Sequence, residues 1–174
     1  MSNAQPKILI VDDDRELRDI YVQKFRASGF EVLSARDGQE GFDLAQKVKP
    51  DVILTGIIMP RLTGFEMMKQ LRGQPATSTV PFVIFSHRGL EEDRRLAEEM
   101  GAAAFLVQGR VTPNEIVATA QRLVSGEYYW VLVQVDQLDS ARLSGDLKIA
   151  QPIKLELRRL PDNQPRSFTA KVVD

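Results

Sequence analysis

Five times between Lys7 and Gly126, a short, mostly apolar run is followed by a longer segment whose apolar residues recur at helical spacing. The runs Lys7–Val11, Phe30–Ala35, Asp51–Thr55, Pro81–Phe85 and Ala103–Val107 read as strands. Their lack of apolar/polar alternation predicts burial on both faces. Leu17, Ile20, Tyr21 and Phe25 mark the first helix, which Gly29 closes, and Gly38–Val48 is a second helix burying Phe42 and Ala45. Phe65, Met68 and Leu71 share one face of a third, Leu90–Met100 is a charged fourth, and Pro113–Val124 is the fifth, with a proline suited to its first turn and Thr112 as its cap. Strands and helices in strict alternation specify βαβ units with right-handed crossovers, hence an α/β parallel sheet covered on both faces. Such sheets collect their chemistry at the carboxyl ends of the strands. The residues just after each run therefore carry the functional information.

Those residues form an ordered set: the acidic run Asp12–Asp14 after the first strand, Gly56 after the third, the loop Ile57–Pro60, Gly64, Ser86 after the fourth strand, and Gly101–Leu106 (GAAAFL) before the last helix. In this order they closely resemble the receiver domain of two-component response regulators, the CheY-like family, over Lys7 to about Gly126. The resemblance implies a flavodoxin-like (βα)5 fold with strand order 2-1-3-4-5. It further implies that Asp12 and Asp13 match a magnesium-binding acidic pair, Ser86 the switch hydroxyl and Phe105 the switch aromatic. Two positions depart from the pattern. Gly56 stands where the family has its phosphate-accepting aspartate, and Gln108 where it has a lysine. The expectation is a pseudo-receiver.

Receiver chemistry needs a carboxylate nucleophile so that a labile acyl phosphate can form. Gly56 has no side chain to offer. Asp51 sits roughly 17 Å away at the far end of the same strand, and Thr55 points to the opposite face and would give a stable ester. Asp13 is the one carboxylate near enough to substitute. With one ligand and the phosphate oxygens gone, Asp12 and Asp13 are expected to bind Mg2+ weakly or not at all. A complete pocket sums to a formal charge of about −2, and Asp12 with Asp13 alone also give about −2, so the paired loss of acceptor and lysine preserves the balance. No catalytic and no cofactor-binding residue is expected, and the chain is read as a non-enzyme. The acidic run also suits a plain helix cap, and Ser86 and Phe105 suit an ordinary loop hydroxyl and core aromatic. His87 is the only histidine and there is no cysteine, so no zinc site is expected.

After Gly126 the pattern changes. Tyr128–Val135 is aromatic and β-branched, and Ile153, Leu155 and Leu157 alternate with Lys154, Glu156 and Arg158. Pro161–Pro165 then turns the chain into Phe168, Ala170 and Val172. Period-two patterning predicts half-buried antiparallel strands, so residues 127–174 are expected to form a small β-meander, with 1–6 a disordered lead. The aromatics Tyr128, Tyr129 and Trp130 suit either its core or a contact patch. Such a meander is marginal alone, and it should dock on the receiver-like part, pair with a second copy, or continue as a larger β domain.

Charge is close to balanced, with 23 Lys+Arg against 24 Asp+Glu. That argues against electrostatic binding to nucleic acid. No apolar run approaches the ~18 residues of a membrane span, and a soluble, cytoplasmic protein is expected. The functional expectation is a phosphorylation-independent regulatory module acting through protein partners. A homodimer is anticipated, through the face of the fourth helix, fifth strand and fifth helix or through 127–174. Two alternatives carry less support. A flavodoxin-like ligand-binding domain lacks a glycine-rich phosphate loop after its first strand, and a DNA-linked regulator lacks a recognition helix.

Overall fold

The computed structural model describes residues 5–125, 129–130, 154–159 and 168–173. Five parallel strands, β1 (Lys7–Val11), β2 (Glu31–Ala35), β3 (Val52–Thr55), β4 (Phe82–Ser86) and β5 (Ala104–Val107), form one sheet in the order β2-β1-β3-β4-β5. Between and after them run α1 (Arg15–Ala27), α2 (Gly38–Val48), α3 (Gly64–Arg72), α4 (Glu91–Glu99) and α5 (Pro113–Ser125). The expected flavodoxin-like topology is the one observed.

The layering follows from the apolar runs. Leu9, Val11, Ile53, Phe82 and Ile84 face one helical layer with Met67, Met68 and Leu71 of α3. Ile8, Ile10, Leu54, Val83 and Phe85 face the other, with Tyr21 and Phe25 of α1 and Ile116 and Val117 of α5. Burying both faces of the central strands removes each large side chain from water, at about 1.5–3 kcal/mol apiece. On α3, Met68 and Leu71 are fully buried and Phe65 packs half-buried against the same cluster, and Met67, also fully buried, widens the inward face beyond the Phe65, Met68 and Leu71 stripe. Phe30 is buried but precedes β2, because its N–H closes the α1 terminus on the Phe25 carbonyl.

Helix ends match local chemistry. Asp14 caps α1 by accepting from the amides of Glu16 and Leu17. Thr112 and Glu115 exchange hydrogen bonds as a capping box on α5, and Thr63 and Glu66 do the same on α3. Of the expected lead 1–6, residues 1–4 lie outside the described residues, and the Pro6 carbonyl accepts from the Glu31 amide at 2.9 Å, extending the β1–β2 ladder.

Residues 126–174 cluster as a second unit. Its described parts are β6 (Tyr129–Trp130), β7 (Lys154–Arg159) and β8 (Phe168–Val173), antiparallel in the order β6-β7-β8. The expected strand extension to Val135 and the Pro161–Pro165 turn lie outside the described residues.

Candidate functional site

Parallel register brings the carboxyl ends of the strands to one edge. Val11 pairs with Thr55, Thr55 with Ile84, and Ser86 with Val107. The ladder then runs one residue further on three strands: the Asp12 amide donates to Ala35, the Gly56 amide to Val11 at 2.9 Å, and the Gln108 amide to Ser86 at 2.8 Å. A crevice of about 360 Å3 opens at this edge, walled by Asp12 and Asp13, Gly56, Ser86, Arg88 and Gln108. The structure thus gathers five of the six anticipated site residues. Phe105 is the exception: it lies half-buried on β5 with the guanidinium of Arg94 from α4 over its ring at 4.8 Å.

The floor is Gly56, and the backbone there does not demand glycine. A Cβ at 56 would meet the Oδ2 of Asp12 at 3.5 Å and the sulfur of Met59 at 3.7 Å, both ordinary contacts. Gly64 differs sharply. A Cβ on it would fall 2.0 Å from the Gly56 carbonyl oxygen, because the Gly64 amide draws α3 against the β3 end by donating to Ile57 at 2.8 Å. The close approach that shapes the floor therefore depends on Gly64. Thr55 is fully buried and its hydroxyl donates to the Gly56 carbonyl at 3.0 Å, so it stands outside the crevice chemistry.

The walls divide by charge. Asp12 is 8 % exposed, and burial pushes its carboxyl above the usual aspartate value. The Asp14 amide, donating to Oδ1 at 2.9 Å, opposes the rise, and the neighbouring charges of Asp13 and Asp14 add to it. Arg18 donates to the Asp12 main-chain carbonyl at 2.6 Å. Asp13 is exposed at the mouth. Opposite them, the buried Ser86 hydroxyl accepts from the Arg88 amide at 3.1 Å, and the Gln108 side-chain amide reaches the Phe85 carbonyl at 3.5 Å. Arg88 and the exposed Ile58, both on the crevice wall, were not anticipated. Their signal in the sequence was only their place, two residues beyond the end of β4 and three beyond the end of β3.

The donor set is thin for magnesium. Mg2+ asks for near-octahedral oxygen coordination. Among the described residues no group of three or more His, Cys, Asp or Glu is arranged to hold a metal ion. Asp12 gives one oxygen to an amide, and Gly56 contributes no side-chain oxygen. These residues do not fit that ion, and no step is assigned to it.

The loop after Gly56 is anchored from outside the crevice. Arg61, at φ 68°, makes a short hydrogen-bonded ion pair with Asp37, which also caps α2. Although burial works against it, this guanidinium and the Glu40 amide hold the Asp37 carboxyl below its usual value.

Comparison with known proteins agrees with this geometry. The family model for the response regulator receiver domain matches residues 8–121. Protein PilH of Pseudomonas aeruginosa is 32% identical over 120 residues, covering 69% of this chain and 98% of that protein. The transcriptional regulatory protein CpxR of Escherichia coli is 31% identical over 150 residues, 86% of this chain and 62% of CpxR. A gliding motility regulatory protein of Myxococcus xanthus is 33% identical over 117 residues, and there the chain spans only 15% of its relative. Among solved structures, chemotaxis protein CheY4 of Vibrio cholerae superposes with a TM-score of 0.65 at 32% identity, covering 69% of this chain and 99% of CheY4. Among the described residues no helix is long and apolar enough to cross a membrane. The fold, the strand-end crevice and the family match over 8–121 converge on one conclusion: the chain belongs to the response regulator receiver domain family of two-component signalling.

Proposed function

We propose that this receiver domain acts as a regulatory docking module whose state is set without phosphoryl transfer at the crevice. The observation that carries this reading is Gly56: the β3 end opens into the crevice with no carboxyl group on it. Asp13 is exposed, and no cation of the chain is paired with it among the described ion pairs. A phosphoryl group there would meet Asp12 and Asp14 with only Arg88 on the opposite wall, so its charge would be poorly compensated.

Ser86 and Phe105 support the same reading. The hydroxyl is engaged by the Arg88 amide two residues on, and the ring is engaged by Arg94 of α4, so each already has a partner. Without a covalent switch, the balance between conformations is set by sequence and by whatever binds. The partners are proteins, with the face of α4, β5 and α5 available for a second copy or an effector; Leu96 on α4 is 41% exposed there. Magnesium binding is weak or absent.

Incubation of the full chain with acetyl phosphate and Mg2+, followed by intact mass and amide NMR spectra, should show no added phosphoryl mass and no spectral change with a beryllofluoride mimic. A stoichiometric mass gain that hydroxylamine removes would sink the reading.

A further inference from the structure

We propose that the Arg61–Asp37 ion pair is a conformational latch: it holds the loop between β3 and α3 in a strained turn, and its release moves Ile58 on the wall of the crevice. The turn is tight. The Leu62 amide donates to the Pro60 carbonyl at 2.8 Å, and Arg61 between them stands at φ 68°. A hydrogen bond that spans two residues around a positive φ defines the rare, strained form of the γ-turn, and a residue with a Cβ enters that region only against a steric cost. It stays there where its surroundings hold it. Here the hold comes from the α2 side. The Arg61 guanidinium, on a side chain 51% exposed, donates to Asp37, whose side chain is 5% exposed. Asp37 is itself fixed, because Oδ1 accepts from the Glu40 amide at 3.0 Å to cap α2. Arg36 lies 3.9 Å from the other carboxyl oxygen but is 76% exposed, which makes it a weaker second cation. The Leu62 carbonyl packs on Gly38, where a Cβ would fall 2.1 Å from its oxygen.

A loop with fixed ends cannot change one torsion alone. The Gly64 amide ties the far end of this loop to the Ile57 carbonyl at 2.8 Å, and Thr63 is held by its capping box with Glu66. The ring of Pro60 fixes its φ. When residue 61 returns to negative φ, the compensating rotations fall on Leu62 and on residues 57–59. Met59 is buried in the core, whereas Ile58 is exposed and lines the crevice, so Ile58 takes up the displacement. An ion pair on the α2 side thus sets the shape of the crevice on the other. The latch operates whether or not phosphoryl chemistry occurs at the crevice, and it stands apart from the docking reading.

Amide NMR of the full chain tests the latch, with hydrogen exchange read at Leu62 and chemical shifts at Gly56, Ile57 and Ile58. Asp37→Asn keeps an acceptor for the Glu40 amide and loses the charge. Arg61→Ala removes the cation and keeps a Cβ, and Arg61→Gly removes both. Exchange at Leu62 should speed up about tenfold in Asp37→Asn and in Arg61→Ala, the loss of one charge-assisted hydrogen bond, and the Gly56 and Ile58 amides should shift with it. Arg61→Gly should displace the Ile58 amide less than Arg61→Ala does, because glycine occupies positive φ without steric cost; a pair that only adds stability would make the two variants alike. Arg61→Lys, which retains a cation, should stay nearest the parent. The proposal is overturned if Leu62 exchange is unchanged in Asp37→Asn and Arg61→Ala, if the shifts stop short of Ile58, or if alanine and glycine at 61 displace Ile58 equally.

Discussion

Substitution at Gly56 separates the need for glycine from the absence of a carboxylate. The space above Gly56 accepts a Cβ at ordinary contact distances, and its backbone is not among those with positive φ. Gly56→Ala should therefore be neutral or stabilising, by up to about 1 kcal/mol, because alanine restricts the unfolded chain more than glycine does. Gly56→Asp tests charge in the same space. A carboxylate within about 5 Å of that of Asp12 is repelled by roughly 3 kcal/mol at an effective dielectric of about 20, which water in the open crevice reduces to about 1–2 kcal/mol.

The pH dependence gives the sign. Burial, with the charges of Asp13 and Asp14, already raises Asp12 above 3.8, and a third acid raises it further. A carboxyl whose folded value exceeds its unfolded value penalises the folded state above the folded value, and the penalty disappears as pH falls toward 3.8. Urea unfolding of Gly56→Asp against Gly56→Ala at neutral pH should thus show the aspartate variant weaker, with the gap closing on acidification. A Gly56→Ala loss of more than about 1 kcal/mol, or a gap that widens at low pH, would refute the contact and charge reasoning together.

Three further outcomes follow from the same structure. Gly64→Ala drives a Cβ onto the Gly56 carbonyl at 2.0 Å, a backbone-to-backbone clash that no rotamer relieves; urea melts should show a loss of about 3 kcal/mol or more, net of the helix-propensity gain. Arg61→Ala removes the cation that helps hold Asp37 low, so the variant should lose stability at neutral pH, with the difference from the parent narrowing as pH falls through the Asp37 titration in the parent. Arg94→Ala frees the Phe105 ring from its cation–π contact, which should cost about 0.5–1 kcal/mol and appear as a shifted ring resonance with faster amide exchange in α4, where Ala97 is the only buried residue.

Element order, the burial of β1, β3 and β4 and the strand-end position of Asp12, Gly56, Ser86 and Gln108 were legible because they depend on short-range pattern, whereas β2 and β5, expected to be buried on both faces, are only partly buried because they lie at the two edges of the sheet. A continuous apolar run can satisfy burial only in a sheet covered on both faces, and the residue following such a run must emerge at its edge. The full burial of Met67 beside Met68 and Leu71 on α3 was not legible, since how much of an apolar helix face is covered depends on packing against the sheet. Nor was the Arg61–Asp37 pair, whose members are 24 positions apart and meet only because the loops after β2 and β3 are brought side by side.

By itself the chain's sequence determined the architecture and that no side-chain carboxylate stands at residue 56, because periodicity, apolar runs and the identity of residue 56 are local facts that no packing can alter. Tertiary structure alone decided what surrounds that position. That Asp12 is buried with one oxygen facing the floor, that the Ser86 hydroxyl accepts from the Arg88 amide, and that Phe105 lies beneath Arg94 depend on how the chain is folded around each of them. Desolvation and hydrogen-bond partnership are properties of assembled surroundings, and a linear order of residues does not contain them.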